Sequence, residues 1–367
     1  RSFGRILDDS APEIVHIQSL LYLSSGIVAE AKQRGIPVLF TLNDYWLMCP
    51  QGQRFRNDQT VCRDAGPREC ACCVGYQLGI RKNVSLAYSF IRRYFPECFL
   101  PIVKNMYMAA ASRIFLNNAK RREFISDRRA HMNRICSDID CFIAPSHFIK
   151  RAFLEFGIPG DKITRMSYGF DRAKFEGLTK TASPVVRFGF IGNIMPSKGL
   201  HVLIESFKGI PGDRACLKIY GAAYSYKSAL GGYARMVKSL AGRGNIAFMG
   251  PFDNSRIREV FENIDVLVVP SIWQENSPLV IQEAFLSRTS VIASRTGGIP
   301  ELITDGVDGF LVEAGNAGDL RRSIINMISL PGILTRELRS VPKVKSIEEN
   351  AAELEALYSQ LIGRSRK

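Results

Sequence analysis

The second half of the chain alternates short apolar runs with amphipathic stretches, and this alternation constrains its fold most. The apolar runs predict strands at Val186–Ile191, Cys216–Tyr220, Ile246–Met249, Val266–Val269, Ser290–Ala293 and Phe310–Val312. The stretches between them predict helices near Gly199–Lys208, Tyr233–Ala241, Ser255–Asn263, Pro278–Ser287 and Asp319–Ile328. Such a repeat predicts an α/β fold with a parallel sheet covered on both faces. Ligands of these sheets bind beyond the carboxyl ends of the strands.

The first half follows the same pattern with fewer strands. Strands are predicted at Ile14–Ile17, Val38–Leu42, Phe142–Ala144 and Ile163–Met166, and a helix at Leu23–Gln33 that ends at Gly35. An insertion at about 49–136 separates the second and third strands. We expect a first domain at 1–174, a second at 175–345, and a C-terminal helix with a basic tail at 346–367. Because the sequence begins with Arg1 inside a helical pattern, we expect the first domain to be incomplete.

The net charge of +14 is concentrated in one part of the chain. Between Gly75 and Arg134 there are 12 basic and three acidic residues, interleaved with aromatic residues such as Tyr88 and Phe95. Such a segment suits an anionic membrane surface or a lipid-diphosphate, or is a solvated helical face. No nucleic-acid-binding module is visible. No apolar run approaches the about 18 residues of a membrane-spanning helix.

The strongest candidate site follows the predicted strand that ends before Pro270. Ser277 is a suitable N-cap and Pro278 fits the first turn of the next helix. Glu275 therefore lies in the loop at the strand's carboxyl end, and Glu283 lies inside the helix. A helix start suits a diphosphate, and the two glutamates suit sugar and ribose hydroxyls. A capping loop with one partly exposed glutamate is the alternative.

Two further motifs lie in the same half. Gly192, Asn193 and Lys198 form a glycine turn with a lysine at the mouth of a helix, where an ammonium group suits phosphate oxygens. The turn is neither a Walker loop nor a dinucleotide fingerprint. The run Thr296-Gly297-Gly298-Ile299-Pro300-Glu301 permits close approach of the backbone to a ligand, or is a packing turn.

The nine cysteines, an odd number, favour a reducing compartment. Cys49, Cys62, Cys70 and Cys73 end in a C-x-x-C pattern that resembles half of a zinc knuckle. Their spacing is irregular and no histidine lies close by. We therefore expect structural thiols and no metal here.

These motifs, in this order, resemble the retaining glycosyltransferases of family 4, and so do Pro37–Trp46 and Ala144-Pro145-Ser146. The resemblance implies the GT-B fold, in which two Rossmann-like doubly wound domains face each other across a cleft. It implies that Lys198 binds the donor diphosphate, that Glu275 contacts the sugar at the reacting centre and that Glu283 holds the ribose. The remaining donor-binding positions it implies are Gly192, Asn193, Asn276, Ser277, Pro278 and Leu279.

The chain departs from the family pattern at two positions. Asn193 stands where the family often has a basic residue, and Asn43 stands where it often has a histidine that hydrogen-bonds the donor sugar. His16 and Asn43 are candidates to face the cleft.

The resemblance implies transfer of a sugar from a nucleotide-sugar donor to a glycan or lipid-linked acceptor, with retention and without a metal or other cofactor. We expect a role in cell-envelope polysaccharide or lipopolysaccharide synthesis, in the cytoplasm or at the inner face of the membrane. A non-catalytic nucleotide-sugar-binding protein is the alternative, and an epimerase fits the glutamate pair less well.

Overall fold

The protein is described here from a computed structural model, which covers residues 3–56, 59–62, 66–67, 69–71, 73, 119–222, 228–242, 244–329 and 342–365. Residues 1–40, 44–141 and 156–158 form one compact unit, and residues 41–43, 142–155 and 159–367 form a second. The basic segment predicted to meet a membrane lies, for residues 75–118, outside the described residues.

The described helices and strands alternate along the chain as the sequence predicts. The helices are α1 (Phe3–Ser10), α2 (Gly26–Gln33), α3 (Ala119–Asp138), α4 (His147–Phe156), α5 (Leu200–Phe207), α6 (Ser228–Ala241), α7 (Ile257–Glu262), α8 (Leu279–Leu286), α9 (Ala317–Ser329) and α10 (Ile347–Ser365). The strands are β1 (Val15–Ile17), β2 (Val38–Thr41), β3 (Cys141–Ala144), β4 (Ile163–Arg165), β5 (Val186–Ile191), β6 (Ala215–Tyr220), β7 (Ile246–Gly250), β8 (Val266–Val269), β9 (Ser290–Ser294) and β10 (Phe310–Val312).

The first sheet has the strand order β1-β2-β3-β4. In the first unit, β1 pairs in parallel with β2, with Val15 opposite Val38. Helix α2 begins at Gly26, three residues later than predicted, because Tyr22 adopts a left-handed φ of 67° and the Ser24 hydroxyl accepts a hydrogen bond from the Gly26 N–H. Its end is as predicted, since Gly35 follows the last turn with a φ of 69°.

The second sheet is parallel, with the order β10-β9-β8-β5-β6-β7. Alternate residues of β8 face opposite sides of it. Val266 and Val268 pack with α5, α6 and α9, whereas Leu267 and Val269 pack with α7 and α8. The predicted parallel sheet with helices on both faces is therefore confirmed. The order runs outward in both directions from the neighbours β5 and β8, so the loops after these two strands adjoin at the switch point where such sheets bind ligands.

Within the described ranges, no helix combines the length and the apolar character that a bilayer crossing requires.

Candidate functional site

The loops after β5 and β8 contact each other closely in the second unit. The Ser197 carbonyl accepts a hydrogen bond from the Ile272 N–H at 2.9 Å. Gly199 has a φ of 68°, and a β-carbon there would lie 1.8 Å from the Pro270 carbonyl oxygen. Only glycine therefore lets the short helical turn Pro196–Lys198 pack this tightly against the end of β8. This contact brings Lys198 to the loop that carries Glu275.

Lys198 and Glu275 form an ion pair. The Lys198 ammonium donates to Glu275 Oε1 at 2.6 Å, and the Ser271 hydroxyl donates to the same oxygen at 2.6 Å. Glu275 is 5% exposed, and the Lys198 Nζ lies 5.4 Å from the centre of the Trp273 ring. The residue predicted to bind the diphosphate, Lys198, and the residue predicted to contact the sugar, Glu275, are thus in direct contact. A buried carboxylate with this cation beside it can bind hydroxyl groups on one side and phosphate on the other.

The glycine turn after β5 lies at the carboxyl edge of the same sheet. A β-carbon at Gly221, which follows β6, would lie 1.9 Å from the Gly192 carbonyl oxygen. Asn193 is exposed beside this contact. The turn therefore presents mainly backbone, as a phosphate-binding turn does.

Helix α8 starts differently from the prediction. Pro278, with a ψ of 115°, occupies the N-cap position, and its carbonyl accepts the first intrahelical bond, from Ile281 at 3.2 Å. The assignment of Ser277 as the N-cap is therefore wrong. The residue before a proline is disfavoured in helical conformation, and here the proline itself remains extended. The first N–H groups of α8 still lack intrahelical acceptors, as at any helix start.

Glu283 lies inside α8 as predicted and is half-buried. Burial raises the pKa of its carboxyl group above the ordinary value, and the positive charge of Lys174 opposes this shift. Among the described residues, none forms a hydrogen bond or a close ion pair with its carboxylate. A half-buried carboxylate in this state suits ligand hydroxyl groups.

The loop after β9 supports the Glu275 segment. The Gly298 N–H donates to the Glu275 carbonyl at 2.7 Å, and a β-carbon at Gly298 would lie 1.9 Å from the Asn276 carbonyl oxygen. Glu301 at the end of this loop accepts hydrogen bonds from the backbone N–H groups of His147 and Phe148, both at 2.6 Å. The paired glycines thus serve close packing against the Glu275 loop.

The side chain of Asn276 joins residues that sequence reasoning did not connect. It accepts a hydrogen bond from the Ser146 hydroxyl at 2.7 Å and donates to the Leu42 carbonyl at 2.9 Å. Asn43, the next residue, accepts a hydrogen bond from the Tyr168 hydroxyl at 2.6 Å. Asn43 therefore lies in the second unit with Glu275 and Asn276. The motif Ala144-Pro145-Ser146 was the sequence signal for Ser146, but it indicated no partner.

His16 belongs to the first unit, where its ring lies 3.1 Å from the Gln18 amide nitrogen. Burial lowers the pKa of His16, so its neutral form is favoured. In the same unit, Cys49, Cys62, Cys70 and Cys73 are in the thiol form. Burial, together with the other three cysteines, raises the pKa of Cys70 to about 12. Across the described part of the chain, no three histidine, cysteine or acidic side chains are grouped so as to hold a metal ion.

Part of the chain is similar in sequence to known proteins. Residues 175–353 match the family model of the glycosyl transferases group 1. A D-inositol 3-phosphate glycosyltransferase of Corynebacterium glutamicum is 30% identical over 161 residues, which are 42% of this chain and 38% of that protein. An uncharacterized glycosyltransferase of Methanocaldococcus jannaschii is 28% identical over 46% of this chain and 43% of that protein. The chain thus matches about two fifths of the length of these relatives.

Solved structures extend the likeness over nearly the whole chain. Anabaena HepE in complex with UDP-glucose superposes with a TM-score of 0.65, at 15% identity, over 97% of this chain and 82% of that one. Sucrose-phosphate synthase from Thermosynechococcus elongatus has the same TM-score at 17% identity, over 99% of this chain and 77% of that one. At such low identity these superpositions establish the fold. Residues 175–353 match the glycosyl transferases group 1 family, and the fold of the chain is GT-B.

Proposed function

We propose that this chain is the catalytic part of a retaining glycosyltransferase that binds its nucleotide-sugar donor on the second unit. The observation that carries the proposal is the convergence of Lys198, Glu275 and the start of α8 at the switch point of the second sheet. Anabaena HepE, of the same fold, has been solved with UDP-glucose, which supports a UDP-sugar as the first donor to test.

Each group has a part in the proposed reaction. The Lys198 ammonium and the N–H groups at the start of α8 meet the negative charge that develops on the leaving diphosphate. The Glu275 carboxylate, which is buried next to this cation, accepts hydrogen bonds from the donor sugar. Glu283 accepts from the ribose hydroxyls. For retention, the leaving diphosphate oxygen takes the acceptor proton on the face from which it departs, and no metal is needed.

The acceptor is proposed from the family resemblance alone to be a glycan or a lipid-linked saccharide of the cell envelope. We further propose that the basic segment 75–134 holds the protein at an anionic membrane on the cytoplasmic side. Flotation with vesicles that contain or lack an anionic lipid tests the membrane part. Recovery that does not depend on the anionic lipid would contradict it.

A thermal-shift titration with UDP, GDP and ADP tests donor binding. One nucleotide should raise the melting temperature of the chain as its concentration passes the dissociation constant. Glu283→Ala should lose this shift, and Gln282→Ala, on the same helix, should keep it. Incubation with the corresponding nucleotide sugar and acceptor glycans, followed by NMR of the anomeric proton, then tests transfer and its stereochemistry. An inverted product would contradict retention, and binding without transfer would favour the non-catalytic alternative.

A further inference from the structure

The carboxamide of Asn276 is fully engaged by the protein. Its oxygen accepts from the Ser146 hydroxyl at 2.7 Å, and its nitrogen donates to the Leu42 carbonyl at 2.9 Å and lies 3.5 Å from the Asn43 carbonyl. Asn276 is 8% exposed and Ser146 is 2% exposed. The side chain therefore has little capacity left for a ligand, although Asn276 directly follows Glu275.

The partners of Asn276 are themselves fixed by the backbone. The Leu42 N–H donates to the Ile143 carbonyl at 2.8 Å, which ties the end of β2 to β3. The Ser146 hydroxyl also accepts from the Ile149 N–H at 3.1 Å, so Ser146 caps α4 while it donates to Asn276. One carboxamide thus connects the end of a strand, the start of a helix and the Glu275 loop.

Glu301 contacts the start of the same helix from a second side. Its two carboxylate oxygens accept from His147 and Phe148, and a negative charge is favourable at a helix N-terminus. The loop that carries Glu301 also binds the Glu275 carbonyl through the Gly298 N–H. The Glu275 loop and the start of α4 are therefore joined at two independent points.

We propose that Asn276, assisted by Ser146 and Glu301, is a positioning residue that holds Asn43 at a fixed place beside Glu275. This inference rests on the proposed function, because it concerns the geometry of the sugar site. Asn43 and Glu275 are linked through one hydrogen-bonded residue, so the hydrogen bonds of Asn276 oppose displacement of the segment 42–43 relative to the Glu275 loop. Misplacement of a reacting group by about 1 Å is enough to reduce turnover by about 100-fold.

The kinetic part of the test compares Asn276→Ala, Ser146→Ala and the double variant with Asn263→Ala, whose carboxamide donates to the Glu259 carbonyl elsewhere in the second unit. For Asn276→Ala we expect kcat to fall about 10- to 100-fold. The Kd for UDP should stay within about twofold, since Lys198 and Glu283 are untouched. The double variant should be little worse than Asn276→Ala, because both changes remove the same bond. A kcat that equals that of Asn263→Ala would overturn the proposal.

Hydrogen exchange tests the positioning without any need for turnover. The backbone amides of Leu42 and Asn43 should exchange at least about tenfold faster in Asn276→Ala than in the unchanged chain, and Asn263→Ala should leave them unaltered. If Asn276→Ala does not fold, Asn276→Asp replaces the donor to Leu42 by an oxygen and should give the same acceleration. Unchanged exchange in the folded variant refutes the inference. Accelerated exchange in a chain that binds UDP but transfers no sugar supports the positioning and refutes the proposed enzyme.

Discussion

The Lys198 ammonium lies 2.6 Å from Glu275 Oε1, so the predicted diphosphate-binding cation is paired with the predicted sugar-binding carboxylate. If Lys198 binds the diphosphate as proposed, the diphosphate competes with Glu275 for the cation, whereas the Ser271 hydroxyl still donates to the same carboxylate oxygen. The proposed function therefore couples donor binding to the arrangement of Glu275.

This pairing makes the two residues energetically interdependent. Lys198→Met leaves a buried carboxylate without its cation and should lower the free energy of unfolding by about 1–3 kcal/mol, less than for a fully buried pair because the lysine is partly exposed. Glu275→Gln should lower the free energy of unfolding by a smaller amount. The loss in the double variant should be smaller than the sum of the losses in the two single variants. Urea denaturation of the three variants measures this coupling. Strictly additive values would contradict it.

The close packing at Gly199 should make that position intolerant of any side chain. Gly199→Ala places a methyl group 1.8 Å from the Pro270 carbonyl at a positive φ and should cost about 2–4 kcal/mol of stability. Gly363→Ala in α10 is the control, because nothing lies within 4 Å of the added carbon. Thermal unfolding of both variants measures the difference. Equal melting temperatures would mean that the turn relaxes freely.

Binding of a nucleotide sugar should depend on the ionisation of Glu283. Burial raises the pKa of this carboxyl group, so it takes up a proton at a higher pH than an exposed glutamate. As the pH falls through this raised pKa, the affinity for UDP-glucose should decrease, because the neutral acid is the weaker acceptor. Calorimetric titration with UDP-glucose at a series of pH values measures this affinity. Glu283→Gln is the matched control and should show no such decrease, since the phosphates of the ligand do not titrate in this range.

A half-buried lysine outside the site, Lys180, should give stability a separate pH dependence. Lys180 donates to the Phe261 carbonyl and to the Thr289 hydroxyl, and burial lowers its pKa to about 8. Between about pH 8 and about pH 10.5, Lys180 carries its proton more often in the unfolded chain than in the folded chain. The free energy of unfolding should therefore rise with pH in this range. Lys180→Met should lack this rise. Urea denaturation of both proteins at pH 7, 8, 9 and 10 measures this pH dependence of stability. Parallel pH profiles of the two proteins would contradict the prediction.

The sequence predicts the second sheet well and the polar contacts around its site poorly. The bounds of β5, β8 and β10 are predicted without error, because compact apolar runs such as Val266–Val269 lie between helical patterns and turn residues. The predicted N-cap of α8 was wrong because residue type favours Ser277 at the cap and Pro278 in the first turn, whereas the ψ of 115° at Pro278 keeps this residue outside the helix. The role of Glu301 was missed for another reason: its partners lie 153 and 154 residues away, where no local pattern reaches.

The hydrogen bond between Asn276 and Leu42 also has a consequence for the order of folding. It closes a loop of 234 residues, and Asn276 and Ser146 close one of 130. Closing such a long loop lowers the entropy of the chain, and many further contacts are needed to offset this loss. The pairings among strands β5 to β10 close much shorter loops. We therefore expect the second sheet to form first and the Asn276 junction to close among the last contacts, so that competence to react arrives later than the bulk of the native structure.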